Sequence, residues 1–467
     1  MIAVWNIYRI EDIAEKITIG PFGSRMKSDA YVESGVPVIR GTNLTGSKKF
    51  SGDWVFITEK LAKQLENCCV SNGDLVFPHR GSIGEVGLVD NQFPQYMMSS
   101  SLMKLRCNPN IADSEFIYYF FKSHQGRYEL LKNASQVGTP GIGQPLTSLK
   151  NIEIKLPSLG EQRKIAKILS DLDEKIHLNN QINQTLESIA QAIFKSWFID
   201  FEPVRAKIEA KQNGEDPELA AMCAISRKSE TELEQMAKED IAELQATAAL
   251  FPDELVESEL GDVPRGWVVS TVGEQVQTVG GGTPSTKNAD FWDNGIHHWT
   301  TPKDLSNLTD KILLTTERKI TDIGLKKISS GILSKDTVLM SSRAPVGYLA
   351  LAKIEVAINQ GYIAILPNTK YSAEYLIQWC EANMAEIKGR ASGTTFQEIS
   401  KKNFREISFV CPDEKVIAVY TRTAKTLYDE ITLKAKEKQS LINLRDTLLP
   451  KLLLGEVEIP DFINEGE

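Results

Sequence analysis

The chain has 467 residues, of which 42% are hydrophobic, and a formal net charge of −9 at pH 7. This composition is ordinary for a globular protein of about one to four domains. No apolar run approaches the roughly 18 residues that a transmembrane helix needs, and the first residues lack the charged and apolar stretches of a signal peptide. We therefore expect a cytoplasmic protein that makes no contact with a membrane.

The negative charge is concentrated in one part of the chain. Residues 201–262 contain 16 acidic and 6 basic side chains, whereas residues 1–157 have a net charge of +2 and residues 263–412 a net charge of +3. The acidity of the whole chain therefore does not exclude a nucleic-acid partner, because such a partner is recognised by local basic surfaces.

Residues 1–157 are predicted to form a first α+β domain. Short apolar runs such as those at 35–40, 74–77 and 87–89 are bounded by turn residues and indicate strands, and residues 115–131 indicate a helix. The loops between these elements carry side chains that bind phosphates or base edges of DNA. The candidates are Arg25, Lys27, Arg40, Asn43, His79, Arg80, Ser82, Gln136 and Thr139.

Residues 158–202 are predicted to form a long helix. Ser158 and Glu161 have the spacing of a capping box, and the apolar residues that follow alternate at spacings of four and three, as in a coiled coil. Two asparagines interrupt this apolar seam. Its central members are Leu169, Leu172, Ile176, Asn179, Asn183 and Leu186.

Residues 203–262 hold the acidic excess and are predicted to be a connector, partly helical and partly loose. Residues 263–412 then repeat the first domain at a shift of 255 residues, so that Gly138-Thr139 falls on Gly393-Thr394 and Pro157 on Pro412. Repetition of this kind predicts a second α+β domain. Its candidate DNA-binding residues are Thr286, Lys287, Thr301, Lys303, Ser342, Arg343, Thr394 and Thr395.

Residues 413–455 are predicted to form a second long helix, followed by a tail at 456–467. Its central seam residues are Leu427, Ile431, Lys434, Lys438 and Leu441. If the two helices lie antiparallel, the two asparagines of the first helix face the two lysines of the second. Their amide oxygens would then accept hydrogen bonds from the ammonium groups, and this polar layer would fix the register of the helices. The alternative is that each seam packs on its own domain.

No motif supports an enzyme or a metal site. The chain has no P-loop and no Asn/Asp-Pro-Pro turn of an amino-methyltransferase, and the charged residues at 413–415 lack the spacing of a magnesium-dependent nuclease. The six cysteines form no Cys-x-x-Cys pair, which indicates reduced thiols. His297 and His298 are neighbours on an extended segment and would face opposite ways. We therefore expect neither catalytic residues nor metal ligands.

Several segments, taken together, resemble one known family. They are Leu156-Pro-Ser-Leu-Gly-Glu-Gln-Arg-Lys-Ile, Trp197-Phe-Ile-Asp-Phe-Glu-Pro-Val, Ser258-Glu-Leu-Gly-Asp-Val-Pro-Arg-Gly-Trp, Trp299-Thr-Thr-Pro-Lys-Asp and Leu448-Leu-Pro-Lys-Leu-Leu-Leu-Gly. In this order they are similar to specificity subunits of type I restriction–modification enzymes, and the resemblance covers nearly the whole chain.

The resemblance implies two target-recognition domains that read the two halves of a split site in double-stranded DNA. It also implies two antiparallel spacer helices, an approximate twofold relation between the repeats, and a chain that is itself not an enzyme and holds no cofactor. Two modification subunits with S-adenosylmethionine would methylate adenine, and restriction subunits would cut DNA using ATP and magnesium. Two alternatives stay open, namely the recognition chain of a type II-like system and a helical scaffold that binds proteins without DNA specificity.

Overall fold

The structure, a computed structural model, describes residues 5–22, 25–44, 46, 48–135, 140–393, 397–457 and 459. The chain divides into two compact units. Unit 1 consists of Met1–His177 and Gln439–Glu467, and unit 2 consists of Leu178–Lys438. Two 40-residue helices, Leu159–Phe198 and Glu414–Leu453, each contribute residues to both units. Within the part of the chain that is described, no helix is long and apolar enough to cross a membrane.

Unit 1 combines small sheets with helices. Its strands are β1 (Asn6–Arg9), β2 (Ala14–Ile19), β3 (Val36–Ile39), β4 (Val55–Ile57), β5 (Cys69–Val70), β6 (Leu75–Pro78), β7 (Gly87–Leu88), β8 (Tyr96–Met98), β9 (Leu102–Cys107), β10 (Ala134–Ser135), β11 (Gly141–Ile142) and β12 (Glu153–Leu156). Its helices are α1 (Glu59–Gln64), α2 (Ser114–Lys122), α3 (His124–Leu131), α4 (Pro145–Lys150) and, as far as His177, α5 (Leu159–Phe198). Four-stranded sheets have the orders β2-β9-β6-β7 and β4-β3-β8-β5, while β1 pairs with β12 and β10 with β11.

The core of unit 1 forms where helix α2 lies against these sheets. Asp113 caps α2 by accepting a hydrogen bond from the backbone N–H of Phe116 at 3.0 Å, as expected for a helix start. Every residue from Phe116 to Phe121 is buried, and Phe121 packs edge-on against Phe77 of β6. Burial of this aromatic run is a main source of stability for the unit.

Unit 2 begins with the rest of α5 and the helices of the connector. Its helices are α6 (Glu202–Asn213), α7 (Pro217–Ser226), α8 (Glu230–Leu233), α9 (Lys238–Ala248), α10 (Val272–Gln275), α11 (Pro302–Ser306), α12 (Asp322–Leu325), α13 (Ala373–Ala382), α14 (Met384–Gly389), α15 (Lys401–Arg405) and, as far as Lys438, α16 (Glu414–Leu453). Its strands are β13 (Leu255–Ser258), β14 (Gly261–Pro264), β15 (Val268–Thr271), β16 (Gln277–Gly280), β17 (His297–Thr300), β18 (Ile312–Leu313), β19 (Arg318–Ile320), β20 (Thr337–Ser341), β21 (Leu349–Ala352), β22 (Val356–Ile358), β23 (Tyr362–Leu366) and β24 (Ser408–Cys411).

The sheets of unit 2 share their central strand order with those of unit 1, although they have five and three strands instead of four each, and this confirms the predicted pair of α+β domains. The orders are β16-β23-β20-β21-β18 and β19-β17-β22, and β15 pairs with β24. β3 and β8 are parallel neighbours in unit 1, as β17 and β22 are in unit 2. Trp5 and Trp267 each precede a strand that pairs antiparallel with the strand before a long helix. The internal repeat in the sequence is thus a repeat of strand topology.

The connector is helical and packed, so the prediction that part of it is loose is wrong. Helices α6 to α9 and the hairpin β13–β14 occupy most of residues 202–264. Met222 and Leu233 belong to a small core of their own. The buried ammonium of Lys207 donates to the carbonyl oxygen of Phe251 at 2.9 Å and pairs with Glu218 at 2.7 Å. Because so many residues of this segment are charged, its apolar positions were not recognised as a core in the sequence.

The two long helices run antiparallel within each unit. In unit 2, Asn183 contacts Ile431 and Phe194 packs on Tyr420. In unit 1, Asp173 pairs with Arg445 at 2.7 Å. At two of the predicted seam positions of α16, Leu427 and Lys434, the next residue along the helix, Tyr428 or Ala435, is buried deeper. Of the other seam positions, Leu169, Ile431, Asn179 and Asn183 are buried and Leu172, Ile176, Leu186, Lys438 and Leu441 are half-buried.

The predicted hydrogen bonds between the seam asparagines and lysines are wrong. The side-chain nitrogen of Asn183 donates to the carbonyl oxygen of Ile431 at 3.2 Å, and the buried amide of Asn179 has no hydrogen-bond partner among the described residues. Lys434 pairs with Glu430 and Glu437 of its own helix. Lys438 pairs with a carboxylate of the second domain. A carboxylate is the stronger acceptor for an ammonium group, because it neutralises the charge as well as accepting the hydrogen bond.

Candidate nucleic-acid interface

The candidate loops of unit 1 lie at one edge, where several strands end. Strand β9 is antiparallel to both β2 and β6, so the loops after β2 and β6 leave from the same side. The turn Ser99–Ser101 joins β8 to β9 at this edge. The N–H of Ser99 donates to the carbonyl oxygen of Ile39 and the N–H of His79 donates to that of Ser101, both at 2.9 Å. We call this surface, with the loops after β2, β3 and β6, the strand-end edge.

Unit 2 builds the same edge with the same backbone contacts. The turn Asn359–Gly361 joins β22 to β23, and the N–H of Asn359 donates to the carbonyl oxygen of Thr300 at 3.1 Å. The N–H of Ser342 donates to the carbonyl oxygen of Gly361 at 2.8 Å. The loops after β16, β17 and β20 therefore meet around this turn, as their counterparts do in unit 1.

A glycine passes closely over the central turn in each unit. A Cβ atom at Gly20 would lie 2.0 Å from the carbonyl oxygen of Ser99, and one at Gly281 would lie 1.9 Å from that of Ile358. Real atoms do not approach so closely, so both positions require glycine in this geometry. The closeness of the two backbone segments fixes the loop after the first strand of the sheet.

A fourth loop lies beside the third in both units. The N–H of Ile142 donates to the carbonyl oxygen of His79 at 3.0 Å, and the N–H of Ile399 donates to that of Ser342 at 3.0 Å. These contacts bring Arg80 and Arg343, which the sequence repeat aligns, next to equivalent segments. Four of the candidates, Gln136, Thr139, Thr394 and Thr395, lie outside the described residues.

Four candidates of unit 1 are exposed at or near the strand-end edge. They are Arg25, Lys27, Arg80 and Ser82. The three cationic side chains among them form no ion pair within the described part of the chain. Ser82 also reaches the neighbouring loop, since its hydroxyl lies 3.9 Å from where a Cβ of Gly41 would be. These side chains have the exposure that contact with DNA requires.

Two other candidates of unit 1, Asn43 and Arg40, hold the loops in place. The buried side chain of Asn43 donates to the carbonyl oxygens of Ser51 and Asp53 and accepts from the N–H of Arg40. The half-buried guanidinium of Arg40 donates to the same Asp53 carbonyl at 2.5 Å. Asn43 is therefore a structural residue, and the prediction that it contacts DNA is wrong.

The prediction for His79 is also wrong. Its side chain is buried, with Nε2 3.1 Å from the carbonyl oxygen of Ser100. Burial lowers the pKa of the imidazole below its usual value, so the ring is neutral at neutral pH and offers no charge to a phosphate. Polar residues beside Gly and Pro look like surface loops in a sequence even when the loop folds inward.

More of the unit 2 candidates already form contacts within the protein. Thr286 and Lys287 are exposed, whereas Lys303 pairs with Glu317 at 2.8 Å and Arg343 lies 3.8 Å from Glu398. Thr301 caps α11 through Asp304. Ser342 is buried and joins the edge through its backbone, which contradicts its predicted contact with DNA.

The central turns of both edges were not among the predicted DNA-binding segments. Ser100 and Gln360 are exposed there, and Gln360 accepts a hydrogen bond from the hydroxyl of Thr283 in the adjacent loop. The feature of the sequence that indicates these turns is a pair of polar residues directly after a buried apolar run. A second missed feature is Arg318, whose guanidinium lies 3.8 Å above the ring of Trp292.

Comparison with known proteins agrees with this architecture. The family model for the type I restriction modification DNA specificity domain matches residues 3–188 and 264–443. The HindI specificity subunit of Haemophilus influenzae is 31% identical over 97% of this chain and 99% of its own length. The chain belongs to the family of type I restriction–modification specificity subunits.

Other specificity subunits are similar at greater distance. A putative MjaX specificity subunit of Methanocaldococcus jannaschii is 22% identical over 97% of this chain and 94% of its own length. The crystal structure of a type I restriction–modification S subunit from M. genitalium matches with a TM-score of 0.54 and 18% identity, covering 98% of this chain and 97% of that one. This second likeness concerns the fold.

As a specificity subunit, the chain is the component that recognises the DNA sequence. The two edges differ in charge in a way that bears on this role. Among the described residues, the unit 1 candidates Arg25, Lys27 and Arg80 form no ion pair, while two of the unit 2 candidates are paired with glutamates. An unpaired cation is available to a phosphate or a guanine edge at no cost of breaking an internal ion pair.

Proposed function

We propose that each strand-end edge reads one half of a bipartite target in double-stranded DNA and that the chain itself carries out no catalysis. The observation that supports this is the construction of the same edge twice, around Ser99–Ser101 and around Asn359–Gly361, with equivalent backbone hydrogen bonds. A pair of similar reading surfaces suits a target with two half-sites. Arg25, Lys27, Arg80 and Lys287 are the side chains best placed for phosphate or base contacts.

The chain is proposed to act with partner subunits in the cytoplasm, where its DNA lies. Two modification subunits with bound S-adenosylmethionine would methylate adenine at the site that this chain selects. Restriction subunits would supply cleavage with ATP and magnesium. This chain would then contribute position and sequence specificity, and the cofactors would belong to its partners.

Mapping of methylated adenines in a host that carries this chain and its partners tests the proposal. The native complex should methylate one motif with two defined half-sites and an undefined gap between them. Exchange of residues 1–157 for those of another specificity subunit should change one half-site and leave the other as it was. Methyl transfer by the purified chain without partners would contradict the non-catalytic role, and a change in both half-sites would contradict the division of reading between the domains.

A further inference from the structure

In unit 2, both long helices place polar residues among the apolar residues of their seams. Asn179 and Asn183 of α5 are buried, and the side chain of Lys438 of α16 is 14% exposed. Polar groups in an apolar seam lower stability unless other groups satisfy them. The two helices satisfy these groups only in part, because Asn183 donates to the carbonyl oxygen of Ile431 but the lysine bonds neither asparagine. A third element meets them.

That element is the turn Thr309–Lys311 of the second recognition domain. The hydroxyl of Thr309 donates to the side-chain oxygen of Asn180 on α5 at 3.1 Å. It also accepts from the ammonium of Lys438 on α16 at 2.7 Å. The same ammonium pairs with the carboxylate of Asp310, which is only 5% exposed. One short turn of the domain therefore contacts both helices.

Lys311 adds a second attachment to α5. Its ammonium lies 2.5 Å from the carboxylate of Glu187 on α5 and 3.0 Å from that of Glu381 on α13. Burial opposes the charged form of this ammonium, but the two carboxylates outweigh burial and raise its pKa. Lys311 therefore stays charged and ties a helix of the domain to the spacer helix.

The turn is connected directly to the strand-end edge. Strand β17 ends at Thr300 in the edge, α11 follows, and the turn leads into β18 of the five-stranded sheet. About ten residues thus separate a candidate DNA-contacting loop from the contacts with both helices. A shift of the turn along the helices would carry the reading loop with it.

Unit 1 has a similar arrangement, which argues against a chance contact. Lys48, in the loop after β3, pairs with Glu115 of α2 at 2.5 Å and donates to the hydroxyl of Ser170 on α5 at 2.7 Å. Asp173 of α5 accepts from the hydroxyl of Tyr119 at 2.9 Å and pairs with Arg445 of α16. In each unit a lysine after the same strand of the repeat joins a domain helix to α5.

We propose that the turn Thr309–Lys311 is a clamp that fixes the second recognition domain on α5 and α16, and that it thereby helps to determine which gap between the half-sites is accepted. Asp310, Lys311, Glu187 and Lys438 are positioning residues in this view and do not contact DNA. This inference rests on the proposed reading of a bipartite target. It assigns a function to Lys438, the lysine in the apolar seam of α16.

The test measures methylation by the complete complex on duplexes in which the mapped gap is native, one base pair shorter or one base pair longer. Lys311→Met removes the charge and keeps the apolar stem, and Glu187→Gln removes the opposite charge. Arg422→Met is the matched control, because it breaks an ion pair between α16 and Glu243 of the connector that is 2.6 Å long and does not involve the clamp.

We expect the two clamp variants to lose about ten-fold of the preference for the native gap, since a loosened domain also reaches neighbouring positions. The control should keep that preference, and Lys311→Arg should restore most of it, because arginine also pairs with two carboxylates. Variants that methylate the native duplex with unchanged gap preference would overturn the clamp, and so would loss of methylation at every gap without rescue by Lys311→Arg. Failure of the native complex to recognise any bipartite motif would instead overturn the proposed function.

Discussion

Replacement of Asn179 by leucine should stabilise the helix pair of unit 2. The side chain of Asn179 is fully buried, and neither its nitrogen nor its oxygen has a hydrogen-bond partner among the described residues. A buried amide without partners costs about 1–3 kcal/mol in folded proteins. Leucine has a similar size and suits an apolar seam, so we expect Asn179→Leu to raise the free energy of unfolding of this region by about 2 kcal/mol.

Two further substitutions in α5 calibrate this figure. Asn183 keeps one hydrogen bond, from its side-chain nitrogen to the carbonyl oxygen of Ile431, and loss of that bond should reduce the gain of Asn183→Leu by about 1 kcal/mol. Gln184 is exposed on the same helix. Gln184→Leu should change the stability by less than about 0.5 kcal/mol.

The measurement should be local, because a chain with two units does not unfold in a single two-state step. Hydrogen exchange under native conditions, followed by mass spectrometry of peptides from 178–198 and 414–438, reports the opening of the helix pair. Slower exchange in Asn179→Leu than in the native chain, with a smaller effect in Asn183→Leu, is the expected order. Faster exchange in Asn179→Leu would refute the reasoning, because it would mean that the amide makes a hydrogen bond that leucine removes.

Three other outcomes follow from the edges. Gly281→Ala should destabilise unit 2 by about 1–3 kcal/mol in thermal unfolding, because the added methyl group meets a backbone carbonyl. Gly282→Ala, where no atom lies closer than 3.9 Å to the added methyl group, should have little effect on stability. Equal effects of the two substitutions would contradict the close approach. Arg80→Gln should weaken DNA binding and lower the slope of log affinity against log salt concentration by about one. Arg343→Gln should have a smaller effect on both quantities, because Arg343 has a glutamate partner. Equal slopes in the native chain and in Arg80→Gln would refute the phosphate contact. Burial lowers the pKa of His79, so this imidazole binds a proton less readily in the folded chain than in the unfolded chain, and the free energy of unfolding should fall as the pH drops below about 6.5. Denaturation at several pH values should show a weaker pH dependence of stability in His79→Gln. An unchanged pH dependence in that variant would contradict the assignment.

The repeat and the long helices were predictable because their signals are regular. A seam at spacings of four and three predicted helices at 158–202 and 413–455, against Leu159–Phe198 and Glu414–Leu453 in the structure. Gly455 has a left-handed backbone with φ of 69° just after the second helix, as expected of a C-terminal glycine. The first helix ends earlier than predicted, because Phe201 adopts φ of 53° and turns the chain.

The roles of individual loop residues were not predictable from local pattern. Arg80 and His79 are neighbours in a polar segment, yet one is exposed and the other buried. The difference arises from the turn Ser99–Ser101, which is twenty residues away in the sequence and meets His79 through two contacts. Burial of a polar loop residue depends on such distant backbone partners, and one sequence does not display them.

The polar break in the helices shows why partners were assigned wrongly. A neutral amide can accept a hydrogen bond from a lysine, but it leaves the positive charge of a poorly exposed ammonium without compensation. A carboxylate supplies both the hydrogen bond and the opposite charge, so a lysine at such a site pairs with an acid wherever the fold allows. The side chain of Lys438 is 14% exposed and its partner Asp310 lies 128 residues away. The same rule accounts for Lys434, which pairs with glutamates one turn before and one turn after it in its own helix. A lysine in an otherwise apolar seam therefore indicates an acidic partner, from its own helix or from a third element, as strongly as it indicates a polar layer between the helices.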